Sequence, residues 1–193
     1  MSKANEQTTN SSTIHILICG FMASGKSSIG RLVAHDLHKP FFDLDKIIER
    51  DEGKSISNIF TEHGESHFRE LELRYLNSLL DAESSLIALG GGALHNEEVV
   101  NHIKEKNLLV YLDIPLPIII DRLTGNRTRP MLFHKDGSKR EIEELKAYLY
   151  DLHKKRESLY VQSQIRIKVD PVWNRNTAAE KVAQYIREYE PQP

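Results

Sequence analysis

The run Gly20-Phe21-Met22-Ala23-Ser24-Gly25-Lys26-Ser27 constrains this chain more than any other feature, because it satisfies G-x-x-x-x-G-K-[ST] in full. Glycines at this spacing let the backbone curl until successive N–H groups point inward at an anion, at the positive end of the following helix. A lysine next to the last glycine can reach the β- and γ-phosphates of a nucleotide, and the following hydroxyl can ligate Mg²⁺. Chance could produce a glycine turn with a surface lysine. Here, however, the motif sits between an apolar run, Ile14–Cys19, and residues at helical spacing, Ile29, Leu32, Val33 and Leu37. That strand–loop–helix context is the one a phosphate-binding loop needs.

The rest of the chain fits the α/β domain this loop requires. Short apolar runs at 41–43, 85–89, 108–112 and 165–169 read as strands, and helical patterns separate them. Helices are expected at 55–60 and 65–80, after Asn96, after Pro115 or Pro117, and over 140–160 and 177–189. Strands alternating with helices give a three-layer α/β/α fold around a five-stranded parallel sheet. At 193 residues, positions 14–190 form one domain after a polar tail, 1–13, that could bury little apolar surface.

The 26 Lys and Arg against 28 Asp and Glu give a net charge of -2, which argues against a nucleic-acid or membrane-surface binder. A single cysteine, Cys19, fits a reducing compartment, and no apolar run approaches a membrane span, so a cytoplasmic protein is expected.

Several further groups stand where a small-molecule kinase would need them. Asp43 and Asp45 follow the second strand and should emerge at the sheet's carboxyl edge, alternation turning one to the metal and the other to the acceptor. The alternative is that an aspartate simply caps a helix. Gly90-Gly91-Gly92 costs chain entropy that a close backbone approach to a ligand would explain, whereas a plain turn needs one glycine. Residues 124–139 are polar and aperiodic, and they carry Arg127 and Arg129, as expected of a mobile lid. After them Ile142, Leu145, Leu149 and Leu152 mark an inward stripe that continues onto Arg156, which needs an anion: an internal carboxylate or a bound one. The histidine pairs lack a zinc pattern, and Cys19, Met131 and Trp173 read as packing residues.

These motifs, taken in order, resemble the shikimate kinase family. The likeness runs through Gly20–Ser27, Phe42-Asp43-x-Asp45, Ile48-Glu49, Gly53-x-Ser55-Ile56 and Gly64-Glu65-x-x-Phe68-Arg69-x-x-Glu72. It continues with Gly90-Gly91-Gly92-Ala93, Arg129-Pro130-Met131-Leu132 and Arg156-x-x-Leu159-Tyr160, covering about residues 14–188. The resemblance implies transfer of the ATP γ-phosphate to the 3-hydroxyl of shikimate, with one Mg²⁺ ion, by a monomer. It also implies that Lys26 and Arg129 stabilise the transferring group and that Asp45 binds the acceptor's hydroxyls and serves as base. Ser27 would hold the metal, and Asp43 would reach it through bound water. ATP would rest on Ala23, Ser24, Gly25, Lys26, Ser27 and Ser28, with Arg122, Arg129 and Arg175 around it. Arg69 and Arg156 would clamp the acceptor carboxylate, with Gly90, Gly91 and Gly92 against the ring. The chain departs from the pattern at Thr177, where the family often has a proline, and along Pro171-Val172-Trp173. A kinase for another polyol acid, such as gluconate, or a catalytically silent binding module would share the loop but not this whole set.

Overall fold

Ile16–Cys19, the strand β1, is almost inaccessible along its whole length, as a strand covered on both faces must be. The computed structural model describes residues 14–125, 138 and 140–189. The expected tail, and nearly all of the expected lid including Arg127 and Arg129, lie outside them. After β1 the described elements are α1 (Lys26–Asp36), β2 (Phe41–Asp43), α2 (Leu44–Glu52), α3 (Ile56–Leu80), β3 (Leu86–Ala88), α4 (Glu97–Lys104), β4 (Leu108–Asp113), α5 (Leu116–Thr124), α6 (Ile142–Tyr160), β5 (Ile165–Lys168) and α7 (Arg175–Glu188). The five strands form one parallel sheet in the order β2-β3-β1-β4-β5.

This order fixes where a ligand can sit. From β1 the chain moves outward to β2, whereas from β3 it crosses to β4 on the other side of β1. Right-handed crossovers in opposite directions put their helices on opposite faces, which opens a crevice at the carboxyl end of β1. The phosphate-binding loop leaves β1 at that point. At the sheet's edge, β5 alternates buried Ile165 and Ile167 with exposed Arg166 and Lys168, as a half-covered strand should.

Most helix starts follow from local capping. Asn96 caps α4 by accepting from Val99 N, and Glu97 and Glu98 favour its first turn. Asn174 accepts from the N–H groups of Asn176 and Thr177, so α7 begins at Arg175 rather than at Thr177. The sequence reading has no counterpart to α2, in which only Leu44 and Ile48 are buried. Its signal was a cap: Asp43 accepts from Lys46 N at 3.2 Å. The inward stripe of α6 holds at Leu145 and Leu149, while Ile142 is exposed because it opens the helix. Cys19 is buried, as expected of a small hydrophobe, and burial pushes its thiol up to about 12.

Helix α3 is two helices joined at Gly64, where φ is 82° and ψ 177°. That conformation is open almost exclusively to glycine, and a Cβ there would meet nothing within 4 Å. Gly64→Ala is therefore expected to destabilise the fold by about 1–3 kcal/mol through backbone strain alone. In an unbroken helix the same change would stabilise by up to about 1 kcal/mol, so the sign of the shift in denaturant midpoint decides between the two.

Candidate active site

Strand β1 ends at Cys19, and the chain then turns through Gly20–Gly25 into α1. Ala23 is held at φ 57°, and Gly25, the residue before the helix, at φ 92°. No side chain caps α1 and no acidic residue stands in its first turn, so its positive end opens into the crevice unopposed. Lys26 lies within this curl, its Nζ donating to the carbonyls of Gly20 and Phe21 at 2.9 Å each. Burial brings its ammonium down to about 8, and the nearby Asp45 carboxylate opposes that fall. Ser24 turns its hydroxyl inward, where it is buried without a partner.

Two clefts open from this region. The first, about 610 Å³, is lined by Ala23, Gly25, Lys26, Ser27 and Ser28, but not by Ser24. Arg122, Val169, Trp173, Arg175 and Ala178 also line it. Arg122 is tied to the loop by a 3.0 Å bond from Nη1 to Ala23 O. The second cleft, about 750 Å³, is lined by Lys46, Glu49, Ile56, Phe60, Phe68, Arg69, Glu72, Arg156 and the three glycines Gly90–Gly92. Both clefts share Met22, Ser27, Asp43, Asp45 and Gly91 as walls.

The two aspartates reach this shared wall by a route other than strand alternation. Asp43 ends β2 and caps α2, and Asp45 belongs to the first turn of that helix. The capping role and the site position therefore coexist in Asp43. Burial raises the Asp45 carboxyl above its ordinary value, with Lys26 pulling the other way.

Around the second cleft the charges are closely arranged. Arg69 pairs with Glu65 at 2.8 Å through Nη2 and with the buried Glu72 through Nη1. Glu72 has its other oxygen, Oε1, buried without a partner, and burial pushes its carboxyl up to about 7 against the pull of Arg69. Arg156 makes no ion pair among the described residues; it donates from Nη1 to Gly91 O at 2.9 Å. Tyr160, one turn on, donates to the same carbonyl at 2.5 Å. Glu72 attracts the Arg156 guanidinium at longer range, without a direct ion pair.

These side chains crowd Gly90 and Gly92, and the phosphate-binding loop crowds Gly91. A Cβ on Gly90 would lie 2.6 Å from both Asp45 Oδ1 and Glu72 Oε1. On Gly91 it would come within 3.2 Å of Met22 N, and on Gly92 within 2.6 Å of Arg69 Nη2 and 3.0 Å of Arg156 Nη2. A larger residue would press on the acidic pair at Gly90, on the phosphate-binding loop at Gly91 and on the guanidinium pair at Gly92. The close approach expected from the sequence is thus made by the protein's own groups.

Every expected site residue within the described part falls on one of the two clefts or directly beneath the loop. Glu72 and Tyr160, quoted in the sequence pattern without a role, and Trp173, read as packing, belong to the site as well. Glu72 was findable from its three-residue spacing to Arg69, which puts the two on one helix face. Trp173 gave no such signal. It is half-buried against the core, as a packing residue should be, and lines the first cleft with its remaining surface.

The sequence model described as shikimate kinase matches residues 22–189. A shikimate kinase of Chlorobium phaeobacteroides is 39% identical over 175 residues, covering 89% of this chain and 92% of the relative. One from Chlorobaculum tepidum is 41% identical over 155 residues, covering 80% and 81%. Among solved structures, the shikimate kinase of Bacteroides thetaiotaomicron superposes with a TM-score of 0.81 at 28% identity, over 90% of this chain and 98% of that one. The shikimate kinase of Acinetobacter baumannii, solved in complex with shikimate, gives 0.79 at 30% identity, over 91% and 93%. A Janibacter sugar kinase at 18% identity and a TM-score of 0.60 shares the fold. With the family model spanning most of its length, this chain belongs to the shikimate kinase family.

Proposed function

We propose that the chain transfers the γ-phosphoryl group of ATP to the 3-hydroxyl of shikimate, giving shikimate 3-phosphate and ADP on the route to chorismate and the aromatic amino acids. The observation that carries this reading is the common wall of the two clefts: a loop built for phosphates on one side, two guanidinium groups on the other, and Asp45 between. The nucleotide lies along the first cleft with its phosphates on the N–H groups of residues 23–28, and Lys26 leaves the loop carbonyls for the γ-phosphate. The acceptor lies in the second cleft with its carboxylate between Arg69 and Arg156, whose planar forks suit bidentate pairing.

Phosphoryl transfer asks little covalent chemistry of a protein; positioning and charge stabilisation do nearly all the work. Asp45 takes the proton of the acceptor hydroxyl as that oxygen bonds to the γ-phosphorus, and the bond to the bridging oxygen breaks to release ADP. The partly raised basicity of a buried carboxylate suits this task. Arg129, outside the described residues, is assigned to the same phosphoryl group through the family pattern.

The residues present fit Mg²⁺. Among the described residues no cluster of three or more His, Cys, Asp or Glu could cage a metal. Mg²⁺ does not need one, since it keeps several waters and takes one or two protein oxygens with the substrate phosphates. Ser27 offers a hydroxyl, and Asp43 offers the carboxylate oxygen that its cap does not use. The ion would neutralise charge on the β- and γ-oxygens.

A coupled ADP-release assay with shikimate, quinate and gluconate side by side tests the acceptor. Shikimate should be the fast substrate, and turnover with gluconate but not shikimate would overturn the proposal. In the same assay Asp45→Asn should lower kcat by about a hundredfold or more while leaving the Kd for ADP and the Tm unchanged. Asp43 separates its two roles by substitution. Asp43→Asn keeps the cap and the stability but should raise the Mg²⁺ needed for half-maximal rate. Asp43→Ala should do the same and also lose about 1 kcal/mol of stability. Equal metal dependence in all three proteins would remove Asp43 from the metal's surroundings.

A further inference from the structure

The carbonyl of Gly91 accepts two hydrogen bonds, from Arg156 Nη1 at 2.9 Å and from the Tyr160 hydroxyl at 2.5 Å. A carbonyl oxygen has two lone pairs, so these donors use its whole capacity. The peptide unit it belongs to joins Gly91 to Gly92, and glycine on both sides gives that unit more rotational freedom than any other pair of residues would. Its direction is therefore set by what binds it.

Of the two donors, Tyr160 is the fixed one. It closes α6 and is 1% exposed, with its ring 5.2 Å from that of Tyr111, which is equally buried in β4. Tyr111 is held in turn by its own hydroxyl, which donates to Asp113 Oδ1 at 3.3 Å. The Tyr160 carbonyl accepts from Ser163 Oγ at 2.7 Å and from Ser163 N at 3.1 Å, which ties down the helix end. Arg156, by contrast, stands half-buried at the cleft on a long stem with many rotamers.

A guanidinium is a rigid plane, so two restraints on it decide where the rest of it points. Nη1 is tied to Gly91 O, and the face lies over the Phe21 ring with Cζ 5.9 Å from its centre. Nη2 is then left on the Gly92 side, 3.0 Å from where a Cβ on that residue would lie, a point that Arg69 Nη2 approaches to 2.6 Å. We propose that Tyr160 is a positioning residue for acceptor recognition: by holding the Gly91 carbonyl in one direction, its hydroxyl aims the Arg156 fork at the acceptor carboxylate. The proposal rests on reading the second cleft as the carboxylate's. A tyrosine that merely satisfied its buried hydroxyl on the nearest carbonyl would contribute to stability and nothing else.

The experiment compares the full wild-type chain with Tyr160→Phe, Arg156→Lys and the double variant in the ADP-release assay, with Tm recorded for each. Tyr160→Phe removes one hydroxyl and keeps the ring on Tyr111. Its KM for shikimate should rise by about fivefold, with kcat and KM for ATP within about twofold of wild type. Lysine has no fork to aim, so adding Tyr160→Phe to Arg156→Lys should raise KM for shikimate by no more than about twofold further. A fall in Tm with KM for shikimate unchanged in Tyr160→Phe would overturn the proposal. So would a full fivefold further rise in the double variant, since the hydroxyl would then act without Arg156. Both results leave the carboxylate reading standing as long as Arg156→Lys alone raises KM for shikimate. Wild-type KM in Arg156→Lys, or no turnover of shikimate by the wild type, would overturn both. A crystal structure with shikimate bound gives a check that needs no variant: the Tyr160–Gly91 bond should persist with Arg156 on the carboxylate, and its loss on binding would overturn the proposal.

Discussion

Two like charges meet at one backbone position: the guanidinium groups of Arg69 and Arg156 both crowd the place where a side chain on Gly92 would begin. Arginines do not converge in a half-buried site without something negative to hold them there. One of the two, Arg69, is largely compensated by Glu72 and Glu65. The other has a carbonyl, that of Gly91, and the face of Phe21 at 5.9 Å. The protein thus leaves one guanidinium of the second cleft without a direct ion pair among the described residues, attracted only at longer range by Glu72. The glycine triplet, the kink in α3 that brings Arg69 and Glu72 round, and the placement of α6 all serve this convergence.

The acidic half of the site is built with the same economy. Asp45 and Glu72 both press on Gly90, and Lys26 and Arg69 stand near enough to moderate them. The acid that caps α2 also lines both clefts, so one residue, Asp43, orders the local backbone and stays within reach of the phosphate-binding loop. Binding groups on a strand end, a helix first turn and a glycine segment move little relative to the sheet. That rigidity suits a reaction whose catalysis is mostly positioning.

Much of this was legible in the sequence, because the strongest signals are local. The loop from Gly20 to Ser27 declares its conformation and its ligand by residue type alone, and the buried runs flanking it fix the parallel sheet. The glycine triplet was readable as a close approach, although the groups that approach it come from α2, α3 and α6 and could not be named from its own neighbours. What escaped depends on tertiary context. Helix α2 has only two buried residues and was hidden by its charge, so the alternation argument for Asp43 and Asp45 chose the right side of the sheet for the wrong reason. Ile142 fits the inward period of α6 but stands at the end of the helix, where little packs on it. Trp173 looked like core because its other face is core, and only the cleft it borders distinguishes the two.

The account stands or falls on whether Arg156, which makes no direct ion pair among the described residues, exists to meet the acceptor. Arg156→Lys keeps the charge and loses the planar fork, so it tests recognition with little disturbance to the fold. KM for shikimate should rise by about tenfold or more, a loss of roughly 1.4 kcal/mol, while KM for ATP and the Tm hardly change. A clear fall in Tm with KM for shikimate intact would mean that Arg156 serves only to hold Gly91, and would contradict the reading of the second cleft as a carboxylate site.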